Sequence, residues 1–140
     1  MPAAVVLVDT GPLVALFDPS DAAHERCKTT LAQLRHSQRL TTLAVLTEAV
    51  YLLGFSARAQ HALLSFIAAG AVAIADFGAA DVSRAAALMQ RFASLPMDFA
   101  DATLVVLAER LHTTTIFTLD RRDFTVYRVG RRSFRLLPKD

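Results

Sequence analysis

The chain has 140 residues, of which 54% are hydrophobic and 20% charged, with a formal net charge of +2. That balance supports one compact core and excludes a disordered chain, because apolar burial on this scale offsets the entropy lost on ordering. It argues equally against a membrane span, since the longest nearly uncharged stretch, residues 59–75, holds Gln60, His61, Ser65 and Gly70 and falls short of about 20 predominantly apolar residues.

In chain order, AVVLV over residues 4–8 is a β-branched run of the kind buried on both faces of a parallel sheet, and it ends at Asp9. Gly11 and Pro12 break it, and Pro12 suits the first turn of a short apolar helix that includes residues 13–17. Asp21 is the expected cap of a helix over 22–36, with Ala23, Cys27, Leu31 and Leu34 on one stripe. A strand follows at 40–42, then an apolar helix over 43–53 closing at Gly54, then a helix to about residue 69 capped by Ser56. A strand at 72–74, a helix at 79–92 ending before Pro96, a helix at 98–111 and a strand at 115–119 complete the alternation. Edge strands are expected at 124–129 and 134–137 around a Gly130 turn. Strands alternating with helices predict a single domain over 1–140, a three-layer α/β/α sandwich on a mainly parallel sheet. Its expected core is Val5, Val6, Leu7, Val8, Leu46, Val50, Leu104, Val105, Leu107, Ile116 and Phe117.

The N-terminal apolar run lacks a basic flank and ends in an acid, unlike a secretory leader. The single cysteine, Cys27, has no internal partner and is read as a packing residue in a reducing compartment. A cytoplasmic protein without membrane contact is expected. Arginine outnumbers lysine 13 to 2, and from Asp120 onward seven basic residues face three acids, whereas the first 119 residues carry eight against ten. Such an arginine-rich segment suits phosphate or carboxylate partners, or is a solvated tail.

Parallel sheets bind ligands at the carboxyl ends of their strands, where Asp9 and Asp120 stand. For either residue alone, a helix cap is the better reading, and the case for a site rests on the other acids. Asp98 and Asp101, three apart, share a helix face with Cβ atoms roughly 5–6 Å apart. Glu48 lies within an apolar helix and needs either an arginine partner or a cation. Together Asp9, Glu48, Asp98, Asp101 and Asp120 form an all-oxygen set without histidine at ligand spacing. Hard Mg²⁺ or Mn²⁺ suits such a set better than zinc, and carboxylate-held Mg²⁺ typically works on phosphates. The four histidines, His24, His36, His61 and His112, are scattered and read as surface or packing residues.

The segments VVLVDTGPLVALFD, LTEAVYLL, MDFADATLVVLAE and TIFTLDRRDF resemble, in order, the four acidic motifs of PIN-domain ribonucleases, and most closely those of VapC-type toxins. The resemblance implies a metal-dependent endoribonuclease that leaves 5′-phosphate and 3′-hydroxyl ends. In it Asp9, Glu48 and Asp101 match the three principal acids, Asp98 an accessory acid and Asp120 the most variable fourth position. Thr10 and Thr118 match hydroxyls that orient carboxylates or water. It further implies one or two Mg²⁺ or Mn²⁺ ions, an RNA substrate, a homodimer and a cognate antitoxin. An arginine or lysine of that antitoxin would pair with the acids. The helices over 43–67 offer an apolar dimer face or are buried in the core. Arg121 and Arg122, followed by Arg128, Arg131 and Arg132, are candidate phosphate contacts.

Other readings are weaker. Asp9-Thr10-Gly11 also spells the aspartic-protease triplet, which requires a mostly β fold. A phosphoacceptor role for Asp9, as in receiver domains or haloacid-dehalogenase-like phosphatases, lacks a lysine near a late strand and has Gly11 where a second Asp is needed. A PIN-like module that binds RNA or a partner without cutting is the non-enzymatic alternative.

Overall fold

The computed structural model describes residues 3–139, so the outer limits of the expected domain, and Asp140 of the basic tail, lie outside the described residues. Along the chain run β1 (Val5–Val8), α1 (Thr10–Phe17), α2 (His24–Gln33), β2 (Gln38–Thr41), α3 (Leu43–Leu52) and α4 (Ala57–Ala68). These are followed by β3 (Ala73–Ile74), α5 (Ala79–Arg91), α6 (Phe99–Leu111), β4 (Thr115–Phe117), α7 (Arg121–Phe124), β5 (Arg128–Val129), β6 (Arg132–Ser133) and β7 (Arg135–Leu137).

Among the described residues, five strands form one sheet in the order β3-β2-β1-β4-β7, with every pairing parallel. β1 is central, which is why its β-branched run carries no polar face. The chain steps one way from β1 through β2 to β3, then crosses back to β4. Right-handed crossovers therefore put α1 to α4 on one face and α5 with α6 on the other. The packing agrees: α1 contacts α2, α3 and α4, α5 lies along α6, and α3 reaches both α1 and α6. This is the expected three-layer arrangement, and its parallel sheet removes the aspartic-protease reading. The strand order reverses between β1 and β4, so a crevice opens at their carboxyl ends.

The expected core residues are buried, except that Val5 and Val50 are half-buried against the cluster. Cys27 is buried, as a packing residue should be. Ser56 caps α4 through the Ala59 N–H, and Thr42, expected as strand, caps α3 through the Val45 N–H.

Two expectations fail for local reasons. The helix assigned to 22–36 begins at His24, because Asp21 spends its carboxylate on the Ala23 N–H and its carbonyl on the His24 N–H, forming a turn ahead of the helix. The strand assigned to 124–129 opens instead with the last residue of helix α7 and the turn after it, the helix being capped by the Asp120 side chain on the Asp123 N–H. Phe124 and Tyr127, three apart, both point into the core, a helical spacing that overrides their strand propensity. Only Arg128–Val129 is strand, paired antiparallel with Arg132–Ser133 off the main sheet. The turn between them places Gly130 at φ +62°, a left-handed conformation suited to glycine.

Candidate active site

At the carboxyl ends of β1 and β4 lies a cavity of about 360 Å³ whose lining includes Asp9, Glu48, Asp98, Asp101, Asp120 and Asp123. The five acids singled out from sequence thus meet, joined by a sixth, Asp123. Among the described residues, no lysine, arginine or histidine lines this cavity.

Capping and clustering turn out to be one arrangement. Asp9 is the N-cap of α1, with Oδ1 accepting the Thr10 N–H at 2.7 Å and Oδ2 accepting the Thr118 hydroxyl at 2.7 Å. Thr118 in turn accepts the Asp120 N–H at 2.9 Å, so one hydroxyl spaces two acids. Asp98 caps α6 by accepting the Asp101 N–H at 2.8 Å, and Asp120 caps α7 by accepting the Asp123 N–H at 3.1 Å. These are two Asp-x-x-Asp units, each with one acid at the cap and one a turn inside. Oxygens of Asp101, Asp120 and Asp123 lie within 4.8 Å of one another. Asp123 was overlooked in sequence although it stands three residues after Asp120, the same spacing that singled out Asp98 and Asp101. The helix N-termini supply partial positive charge that eases the crowding.

Glu48 is half-buried on α3, and among the described residues no arginine or lysine pairs with it. Its helix is docked on α6 by the Thr42 and Thr103 hydroxyls, 2.8 Å apart and buried. Tyr127 donates its hydroxyl hydrogen to Asp101 Oδ2. No sequence signal pointed to Tyr127 as a neighbour of the acids.

Burial pushes the Asp9 carboxyl up to about 6, against the lowering effect of its bonds from Thr118 and Thr10, with Asp120 and Glu48 adding repulsion. Burial, then Asp9 and Asp98, push Asp101 up to about 8. Glu48 is raised by burial and by Asp98, and Asp123 by burial and by Asp120. A dense carboxylate set in which burial raises Asp9, Glu48, Asp101 and Asp123, and whose cavity has no basic side chain in its lining among the described residues, has the donor chemistry of a divalent-cation site. The Thr10 hydroxyl, buried and without a hydrogen-bond partner among the described residues, is a further oxygen at this cavity. The residues present fit a hard divalent ion.

Arg121 directs Nη1 to the Pro138 carbonyl at 2.8 Å, and Arg122 is exposed one residue on. Arg128 is occupied by the carbonyls of Thr125, Val126 and Tyr127. His36, His61 and His112 are exposed, while His24 donates from Nδ1 to the Ala15 carbonyl and joins α2 to α1.

Comparison with known proteins matches this architecture. The PIN domain family model covers residues 6–130. Ribonuclease VapC26 of Mycobacterium tuberculosis is 34% identical over 139 residues, spanning 95% of this chain and all of the relative. In fold, the chain is similar to the crystal structure of Mycobacterium tuberculosis VapC20, a sarcin-ricin loop cleaving toxin. The TM-score is 0.73 at 23% identity over 79% of this chain and 86% of that one. It is also similar to VapBC2 from Rickettsia felis, solved bound to a DNA fragment from its promoter, with a TM-score of 0.67 at 15% identity over 94% and 98% of the two chains. The chain belongs to the PIN domain family, among its VapC ribonucleases.

Proposed function

We propose that this protein is an endoribonuclease that hydrolyses RNA phosphodiester bonds with Mg²⁺ or Mn²⁺, acting as the toxin of a toxin–antitoxin pair. The observation that carries this reading is the meeting of six carboxylates from four separate stretches of chain in one cavity whose lining, among the described residues, holds no basic side chain.

Asp9, Asp101 and Glu48, with Asp98, Asp120 and Asp123, are assigned to hold the cation. When bound, it polarises the scissile phosphate and acidifies water. Thr118 and the Thr10 N–H keep Asp9 in one orientation, and Tyr127 does so for Asp101. To Glu48, half-buried and without a basic partner among the described residues, we assign acceptance of the proton released by the attacking water. Arg121 and Arg122, directly after Asp120, are assigned to the RNA phosphates.

The partner reading is an RNA substrate, a second copy of this chain and a cognate antitoxin. Leu43, Tyr51, Leu52 and Phe55 are exposed along α3 and its end, which supports a dimer face there. Among the described residues no helix is long and apolar enough to cross a membrane, and the lone free thiol Cys27 is consistent with a cytoplasmic setting.

The test is incubation of purified protein with a labelled single-stranded RNA pool. Cleavage is expected with Mg²⁺ or Mn²⁺, and none with EDTA or with Asp9→Asn. Cleavage that persists in Asp9→Asn would overturn the assignment.

A further inference from the structure

A second, larger cavity of about 660 Å³ lies between α2 and the edge strand β7, lined by Arg26, Thr29, Gln33, Arg135 and Lys139 among others, with no acidic and no aromatic residue in its lining among the described residues. Among the described residues, none of its three cations is in an ion pair. Lys28, Arg84 and Arg110, by contrast, meet Glu25, Glu109 and Asp81, and Arg39 is spent on the carbonyls of Leu34, Ser37 and Ala71. Arg26 gives one bond, to the Lys139 carbonyl, and holds that lysine against α2. The fold therefore gathers three positive charges, and no acid among the described residues neutralises them within the cavity.

This cavity is tied to the acidic one by hydrogen bonds of Thr118 and of Arg121, which reaches the Pro138 carbonyl from beside Asp120. The Leu137 carbonyl on its rim accepts the Thr118 N–H at 2.9 Å, and the Thr118 hydroxyl holds Asp9. β7 lies two strands from β1, roughly 10 Å at the usual strand spacing, which is about three nucleotides of stacked strand. Six carboxylates repel RNA, so attraction has to come from beside them. Guanidinium forks, an ammonium, a hydroxyl and an amide match phosphate oxygens, whereas no ring is present on which a base would stack.

We propose that the α2/β7 cavity grips the phosphate backbone of the RNA strand beyond the cleaved linkage, independently of sequence. This rests on RNA being the substrate, and its test separates the two readings. The double variant Arg135→Gln with Lys139→Gln leaves Arg26 and its bond in place. Its partner control is Arg135→Lys with Lys139→Arg, which keeps the charge.

Binding of a labelled single-stranded RNA pool is read by fluorescence anisotropy in EDTA across a salt series. The neutral variant is expected to bind roughly tenfold more weakly, with the slope of log affinity against log salt reduced by about 1.4, as for two lost phosphate contacts. With Mg²⁺ it should show a raised KM and an unchanged kcat. The charge-retaining variant should match wild type. Unchanged RNA affinity and slope overturn the proposal, as does an equal loss in the charge-retaining variant. So does a loss confined to antitoxin binding, which would reassign the cavity to the protein partner. Wild-type protein that binds RNA in this way but never cuts it refutes the nuclease reading and leaves the cavity assignment standing.

Discussion

Tyr127 donates its hydroxyl hydrogen to Asp101 Oδ2 at 3.0 Å, joining a residue beyond α7 to an acid one turn inside α6. The tyrosine is fully buried, with the Phe92 and Phe124 rings edge-on at 5.3 and 5.0 Å. Its hydroxyl is thereby fixed and the carboxylate with it. Tyr127→Phe keeps the packing and removes only this bond. Divalent-cation affinity is expected to fall about tenfold, as for loss of a hydrogen bond to a ligand, at a stability cost of about 1 kcal/mol. Calorimetric titration with Mn²⁺ checks it; wild-type affinity in the variant would remove the positioning role.

The raised acids make stability depend on pH. Asp101, at about 8 in the fold, and Asp9, at about 6, both start from 3.8. Between those limits the folded state binds more protons than the unfolded state, so the slope of stability with pH is negative. In EDTA the melting temperature is therefore expected to fall as pH rises from about 4 to about 8. Because protons compete with the cation, the stabilisation by Mg²⁺ should grow over the same window. Melting curves at pH 5 and pH 8, with and without Mg²⁺, measure both; a metal effect no larger at pH 8 would contradict the site.

Asp9→Asn and Thr118→Val should separate charge from orientation. The Asn variant keeps the shape, and its amide can donate to the Thr118 hydroxyl. Cleavage should vanish while the EDTA-treated protein melts at or above the wild-type temperature at pH 8, a buried charge having been removed. Thr118→Val strips support from Asp9 Oδ2 and from the Asp120 N–H. It should cost about 1–3 kcal/mol of stability and lower cleavage without abolishing it, as read by chemical denaturation beside the RNA assay.

Asp123 lies within the closest group of carboxylate oxygens. Asp123→Asn retains its backbone bond to Asp120 and removes one negative charge. Weaker Mn²⁺ binding is expected, by about tenfold, because a charged carboxylate is lost from the cluster. Titration calorimetry reports the effect, and unchanged binding would place Asp123 outside the cation site.

Much of the fold was legible because its signals are local. A β-branched run ending in Asp9, the Gly54 stop and the Ser56 cap each act within a few residues, and the alternation of strand and helix implies a parallel sheet. The strand assigned to 124–129 went wrong where two local signals competed. The aromatic and β-branched pattern favoured a strand, while the Asp120 cap and the inward pair Phe124 and Tyr127 favoured a helical turn, and burial decided.

By itself the sequence determined the acids Asp9, Glu48, Asp98, Asp101 and Asp120, the sheet's parallel character and the family, because strand ends, caps and motif order are read along the chain. Only the tertiary structure decided who meets whom. Thr118 reaches Asp9 across 109 residues of sequence, Tyr127 reaches Asp101, and Arg26 shares a cavity with Arg135 and Lys139. Those meetings follow from the order β3-β2-β1-β4-β7, which depends on how whole layers bury their apolar faces. No short stretch of sequence encodes that choice, because the energy that settles it is spread over the entire core.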